Sequence, residues 1–301
     1  MQIVDAHVHT WTSEIISERD KEARRIAAQR TGAAPVLDSP ASSLLAAMQE
    51  AGVKRAVILP IDSGIHQEMP LSLSEKTDWH VNEIAGHDAL RTFVGIDPRR
   101  GEAGLRELRR AVTERGCIGW KMYPPNGFYP DNREFYPFYE LARDLRVPIV
   151  IHQGFTPRFK HVKYARPVFV DAVAADFPEL NIVLAHVGTP WSEEALMVAM
   201  KNPNVWVDVS GWQFHAATIP LKLYQMIAEA KTARVFPNRV LWGSDFPLFE
   251  HIMPLSQWTK LFSSLRLPES LLDVGYQQVT SGEIEKVMGE NAARLFFGER
   301  N

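Results

Sequence analysis

The chain has 301 residues, of which 46% are hydrophobic and 23% charged, the proportions of an ordinary globular protein. Its single cysteine, Cys117, excludes an internal disulfide and a cysteine-rich zinc site, and a chain this long buries enough apolar surface to hold a core without either. Thirty-three basic against 36 acidic residues give a net charge of −3, which excludes the broad basic face of a nucleic-acid binder or of a protein that coats anionic membranes.

Asp5, His7 and His9 interrupt the first apolar run, so no signal peptide is expected and the cytoplasm is the default location. No window of 18 apolar residues occurs, so no membrane span is expected. Short β-branched runs at 2–8, 55–60, 92–96, 118–122, 148–152, 182–186, 205–209 and 240–243 are apolar along their length, which predicts buried parallel strands. Amphipathic spacing predicts helices over 42–51, 102–115, 135–145, 167–177, 193–200 and 221–231. Strands alternating with helices imply right-handed crossovers, and so many units in one chain fit a single (β/α)8 barrel spanning 1–301 better than an open sheet. No G-x-G-x-x-G follows a strand, which removes the usual dinucleotide-binding sign. Two stretches exceed ordinary connections. Residues 11–40 contain a charged helix expected at 14–30, and residues 154–166 are basic. Both follow strands, so both are expected on the catalytic face of a barrel as lid or substrate contacts, or as solvated surface.

Polar residues fall at the ends of these strands. His7 and His9, at i and i+2, share one side of the first strand. His152 ends the fifth, His186 the sixth, and Asp245 follows the eighth. Each alone could be a packed side chain. Together they form a nitrogen and oxygen set suited to a divalent ion at the C-terminal rim, where barrels assemble active sites from several strands.

On these residues, with Lys121 in Gly119-Trp120-Lys121-Met122-Tyr123-Pro124-Pro125, with Gly243-Ser244-Asp245-Phe246-Pro247 and with the closing segment 285–296, the chain resembles the amidohydrolase superfamily, in its amidohydrolase-related group of metal-dependent barrels. The resemblance implies that His7, His9 and Asp245 hold the main ion and His152 completes the sphere. His186 would bind metal or act beside it as acid, base or oxyanion stabiliser. Asp245 would also take a proton from metal-activated water, whose pKa a bound ion lowers to about 7. Lys121 would be carboxylated and bridge a second metal, or hold a substrate carboxylate through its ammonium. Zinc is the first choice of ion, with manganese or iron accepted by the same donors, and one ion is favoured over two.

The expected reaction is hydrolysis of a small carbonyl compound (lactone, ester, amide or β-ketoacyl species). The alternative is nonoxidative decarboxylation of an aromatic or unsaturated acid. Trp11, Tyr123 and Trp212 are candidate pocket walls for an aromatic or carboxylated substrate, and Arg158 opens a basic run, through Lys160, His161, Lys163 and Arg166, that could receive an anion. His66, His80, His87, His215 and His251 are read as surface or structural, with His66 and His215 the two that could enter the site. Aromatic loops make a homodimer plausible; neither nucleic acid nor membrane is an expected partner.

Overall fold

The computed structural model describes residues 2–299, the side chains of residues 30 and 31 excepted. The apolar runs become parallel strands β1 (Val4–Val8), β2 (Arg55–Ile58), β3 (Leu90–Thr92, resuming after Phe93 as Val94–Gly95), β4 (Trp120–Met122), β5 (Ile149–Ile151), β6 (Ile182–Leu184), β7 (Val205–Asp208) and β8 (Val240–Leu241). Each pairs with its neighbours in chain order. The strand expected at 92–96 is interrupted because it changes partner at Phe93, whose N–H donates to Ile58 O at 3.0 Å while Val94 N–H donates to Gly119 O at 2.9 Å. The segment leaving β8 bonds back to β1. Ala6 N–H donates to Trp242 O at 3.0 Å, Asp245 N–H to His7 O at 2.8 Å and His9 N–H to Phe246 O at 2.8 Å.

Alternation along the strands sorts their side chains into two layers. Val57, Val150, Val183, Trp206 and Leu241 point inward and pack with Ala292 and Phe296 of the C-terminal helix Asn291–Phe297, which covers one end. Ile58, Met122, Ile151, Leu184 and Val207 face outward against the helices. That C-terminal segment fits because Gly289 has no Cβ; one there would lie 2.1 Å from Gln2 O.

Strand β1 breaks the alternation. Asp5 pairs with Ala56 and Val8 with Ile58, so three steps on β1 match two on β2. This is a β-bulge, which re-aims side chains beyond it. Val4 and Ala6 pack in the inner layer, and past the bulge His7 and His9 face inward as well. The His7 N–H freed from the ladder donates to Asp5 Oδ1 at 3.2 Å, and Ser244 N–H donates to the same oxygen at 3.0 Å. Gly243 leaves the room His7 needs, since a Cβ there would lie 2.9 Å from His7 Cβ.

The helices expected from spacing form with ends shifted by one or two residues, except that 167–177 is a 3-10 turn, Pro167–Val170, followed by the short helix Asp171–Asp176. In the first insertion the chain turns through 11–17 before α1 (Glu18–Thr31) begins, capped by Ser17, so the helix expected at 14–30 starts later. Helices Leu73–Glu83 and Leu255–Ser263 were not evident from spacing. The first is set by a capping box between Ser72 and Glu75. No helix among the described residues is long and apolar enough to cross a membrane.

Candidate metal centre

His7, His9 and Asp245 present nitrogen and oxygen atoms within 4.8 Å of one another, all buried. Their hydrogen bonds decide which atoms are free. His7 Nδ1–H donates to Asp208 Oδ2 at 2.9 Å, and His9 Nδ1–H donates to Leu59 O at 2.7 Å. Both rings therefore turn an unprotonated Nε2 inward, that of His7 with Lys121 Nζ 3.4 Å away. Asp245 Oδ1 lies 3.0 Å from His9 Nε2 and 3.5 Å from His7 Nε2, and it is buried without a hydrogen-bond partner. Three lone pairs converge on one point; Lys121 Nζ reaches the His7 nitrogen at 3.4 Å, while Asp245 Oδ1 has no donor. A divalent cation fits that set, with the second ring nitrogens held by outer partners as in metal-ligating histidines generally.

A second group, His7, His186 and Asp208, is equally close and buried, but its donors are spent. Asp208 accepts from His7, from His186 N–H at 3.0 Å, from Ser210 N–H at 3.0 Å and from the Ser210 hydroxyl. His186 Nδ1 faces Ser210 Oγ at 2.8 Å, and its Nε2 lies 3.2 Å from His152 Nδ1. His152 Nε2–H donates to Phe155 O at 2.9 Å. This network holds the first group in place. The structure thus brings His152 beside His186 and Tyr123, whose ring centroid is 4.6 Å away, and not into the group of bare acceptors where it was expected to complete the sphere.

Backbone strain marks the same place. Asp245 and His186 adopt left-handed conformations at φ +56° and +60°, uncommon for residues other than glycine and concentrated at functional sites.

Burial sets the charges. It pulls the His7 imidazolium down to about 3, with the Lys121 charge adding to the effect, and keeps His9 neutral as well. Burial opposes ionisation of Asp245, but the attraction of His186 leads the influences that outweigh it and hold the carboxyl well below the usual range. Neutral imidazoles and an ionised carboxylate are the forms a metal binds. Lys121 is buried on β4 with Nζ 3.4 Å from His7 Nε2. Burial draws its ammonium down to about 8, partly offset by Asp208 and Asp245.

Trp11 is buried under the Arg24 guanidinium, which sits 3.6 Å from its ring centre. Trp212 Nε1–H donates to His186 O at 2.8 Å, so this residue braces a site histidine. Arg158 is exposed and lies over Phe159. Of the histidines left without a role, His80 is buried near Thr10, and His215 meets Thr189 Oγ1 at 3.1 Å. Sequence reading missed Asp208, Ser210 and Asp5. Asp208 was open to discovery by the same signal as His152, a polar residue closing an apolar strand.

The family model described as Amidohydrolase matches residues 4–298. The gamma-resorcylate decarboxylase of a Polaromonas species is 25% identical over 213 residues, 56% of this chain and 63% of that protein. The 2-keto-4-carboxy-3-hexenedioate hydratase of a Sphingobium species is 33% identical over 120 residues, 32% of this chain and 35% of that one. The matches therefore span less than two thirds of these relatives. A TIM-barrel protein from Bordetella bronchiseptica superposes with a TM-score of 0.67 at 18% identity, covering 98% of both chains. The 5-carboxyvanillate decarboxylase of Novosphingobium aromaticivorans, complexed with manganese and 4-hydroxy-3-methoxy-5-nitrobenzoic acid, superposes at 0.67 and 14% identity over 98% of this chain and 96% of its own. The fold is that of an α/β TIM barrel, and the chain belongs to the amidohydrolase family.

Proposed function

We propose that the protein is a metal-dependent hydrolase of a small carbonyl compound, working at one divalent ion held by His7, His9 and Asp245. The observation that carries this reading is Asp245 Oδ1, buried and unpartnered 3.0 Å from the bare Nε2 of His9. When bound, such an ion supplies Lewis acidity toward a carbonyl oxygen and acidifies water. The chain's own residues do the rest. Asp245 is ionised, as a base must be, and its Oδ2 takes a proton. His186 and His152 can hold a proton between Nε2 and Nδ1, 3.2 Å apart, and release it to a departing oxygen. Lys121 presents a positive charge toward the same space, suited to an oxyanion or a substrate carboxylate. The satisfied hydrogen bonds of Asp208 favour one ion over two. Zinc and manganese both suit these donors, and the manganese complex of the decarboxylase from Novosphingobium supports the latter.

Nonoxidative decarboxylation is the second reading, favoured by the gamma-resorcylate and 5-carboxyvanillate decarboxylases among the similar proteins. Metal analysis of the purified protein, followed by parallel assays of acid release from lactones and esters and of carbon dioxide release from aromatic acids, tests both. Stoichiometric metal, acid release and loss of both in Asp245→Asn are expected. Carbon dioxide release alone would replace hydrolysis by decarboxylation, and a protein that takes up no divalent ion would overturn the proposal.

A further inference from the structure

Arg24 lies on α1, in the insertion that follows β1. The ion pairs of that helix join Lys21 to Glu18 and Arg25 to Glu22, and none among the described residues involves Arg24. Asp20, one turn earlier on the same face, would be its natural partner. However, Asp20 Oδ2 already accepts from Ser17 Oγ at 2.8 Å and Ser63 Oγ at 2.7 Å. Arg24 instead lies over Trp11, its guanidinium carbon 3.6 Å from the ring centre. Its Nε and the indole Nε1 of Trp11 are both buried without a hydrogen-bond partner. Trp11 stands two residues beyond His9, and Arg24 is within electrostatic reach of Asp20, Tyr123 and Asp245. Lys121 apart, other cations nearby are committed. Arg99 pairs with Asp97, Arg100 with Asp62, and Lys160 donates to Ser63 O and Asn126 Oδ1.

We propose that Arg24 and Trp11 form a receptor for a carboxylate, so that the substrate is a small carbonyl compound carrying a carboxylate beside its reacting group. Two unpaired donors beside a set of metal-binding acceptors are complementary to a ligand with an anionic end and a carbonyl end. A planar guanidinium offers that anion a fork of donors, and stacking on the indole keeps the fork in one orientation. Burial draws the guanidinium down to about 10, outweighing the attraction of Asp20, Tyr123 and Asp245, none of which forms an ion pair with it. The substrate class rests on the metal-centre reading above, whereas the receptor can be tested apart from it.

Isothermal titration of the manganese-loaded protein with benzoate and with benzamide, its neutral counterpart, gives the test. Wild type is expected to prefer benzoate by roughly tenfold or more. Arg24→Met should erase most of that preference while retaining its metal and its melting temperature, and Trp11→Phe, which keeps the stacking face but loses the N–H, should reduce it several-fold. If Arg24→Met does not fold, Arg24→Lys carries the test, since it keeps the charge but loses the fork and must also lose preference. No preference in wild type, or full preference in the folded Arg24 variants, overturns the receptor. A preference that survives in an Asp245→Asn protein devoid of metal shows that Arg24 and Trp11, not the ion, hold the carboxylate, and a preference lost there with the metal overturns the receptor.

Discussion

Asp208 decides which nitrogen His7 offers. By accepting from Nδ1–H at 2.9 Å it leaves Nε2 without a proton. The amide of Asp208→Asn can present its NH₂ to that nitrogen and favour the wrong tautomer. Metal affinity is expected to fall about 10- to 100-fold, read by competition with a chromophoric chelator, while an unchanged affinity would remove Asp208 from the support of the site. This residue also shows what was legible. His7, His9, His152, His186 and Asp245 all announce themselves as polar interruptions at apolar strand ends. Asp208 obeys the same rule, closing Val205-Trp206-Val207, yet what distinguishes its fully bonded carboxylate from the unpartnered Asp245 is a set of distances that no spacing encodes. Arg24 was hidden for another reason. In sequence it is one charge among many on a helix, and only the fold-back of that helix over Trp11 sets it apart.

At the scale of elements, the bulge in β1 and the mooring of α1 place the chemistry. Strict alternation from Val4 would turn His7 outward, so the correct expectation that His7 and His9 share the inner side depends on an extra residue that the i, i+2 rule does not see. Helix α1 is tied down at its first turn. The Ser17 side chain caps Asp20 N–H, and its hydroxyl meets Gln67 Oε1 at 2.8 Å. Ser17→Ala is expected to lower stability by about 1 kcal/mol, as other lost N-caps do. It should also raise KM more than it lowers kcat, because the helix that carries Arg24 would sit less firmly. Steady-state kinetics and a urea melt measure the two effects, and a kcat loss with KM unchanged would argue against a substrate-binding role for α1. The helix ends were read to within two residues where caps and apolar spacing agreed. Leu73–Glu83 was passed over because its apolar face is weak and its start is set by the Ser72 and Glu75 capping box.

For the whole molecule, buried histidines govern the response to acid. Burial pushes His7, His9, His80 and His152 below their ordinary value of 6.5, His7 to about 3. Below pH 6.5 the unfolded chain takes up protons that the folded one refuses, so stability falls as the pH drops. Each imidazole kept neutral costs about 1.4 kcal/mol per pH unit. Asp5 and Glu250 act in the opposite sense, since burial raises both, Asp5 to about 7, and protonation favours the folded form, but they are two groups against four. The melting temperature of chelator-treated protein is expected to decline steadily from about pH 6.5 to about pH 4. A flat or rising profile by calorimetry would show that these rings are not held neutral.

His7 lies on the first strand of the ring and His9 just past its end, while Asp245 follows the last, and the backbone bonds from Ala6, His9 and Asp245 run along the same join. An ion held by these residues would therefore clasp the two ends of the barrel wall, fastening segments that synthesis separates by almost the whole chain. Until residues near 245 are made, β1 has no neighbour on that side, so closure is a late event of long sequence separation. At metal concentrations a thousandfold above Kd, the clasp is expected to contribute about 4 kcal/mol. Hydrogen exchange with and without chelator should locate that gain at the amides of residues 5–9 and 242–246 rather than evenly around the barrel. Protection spread uniformly would mean that the ion serves the chemistry without fastening the wall.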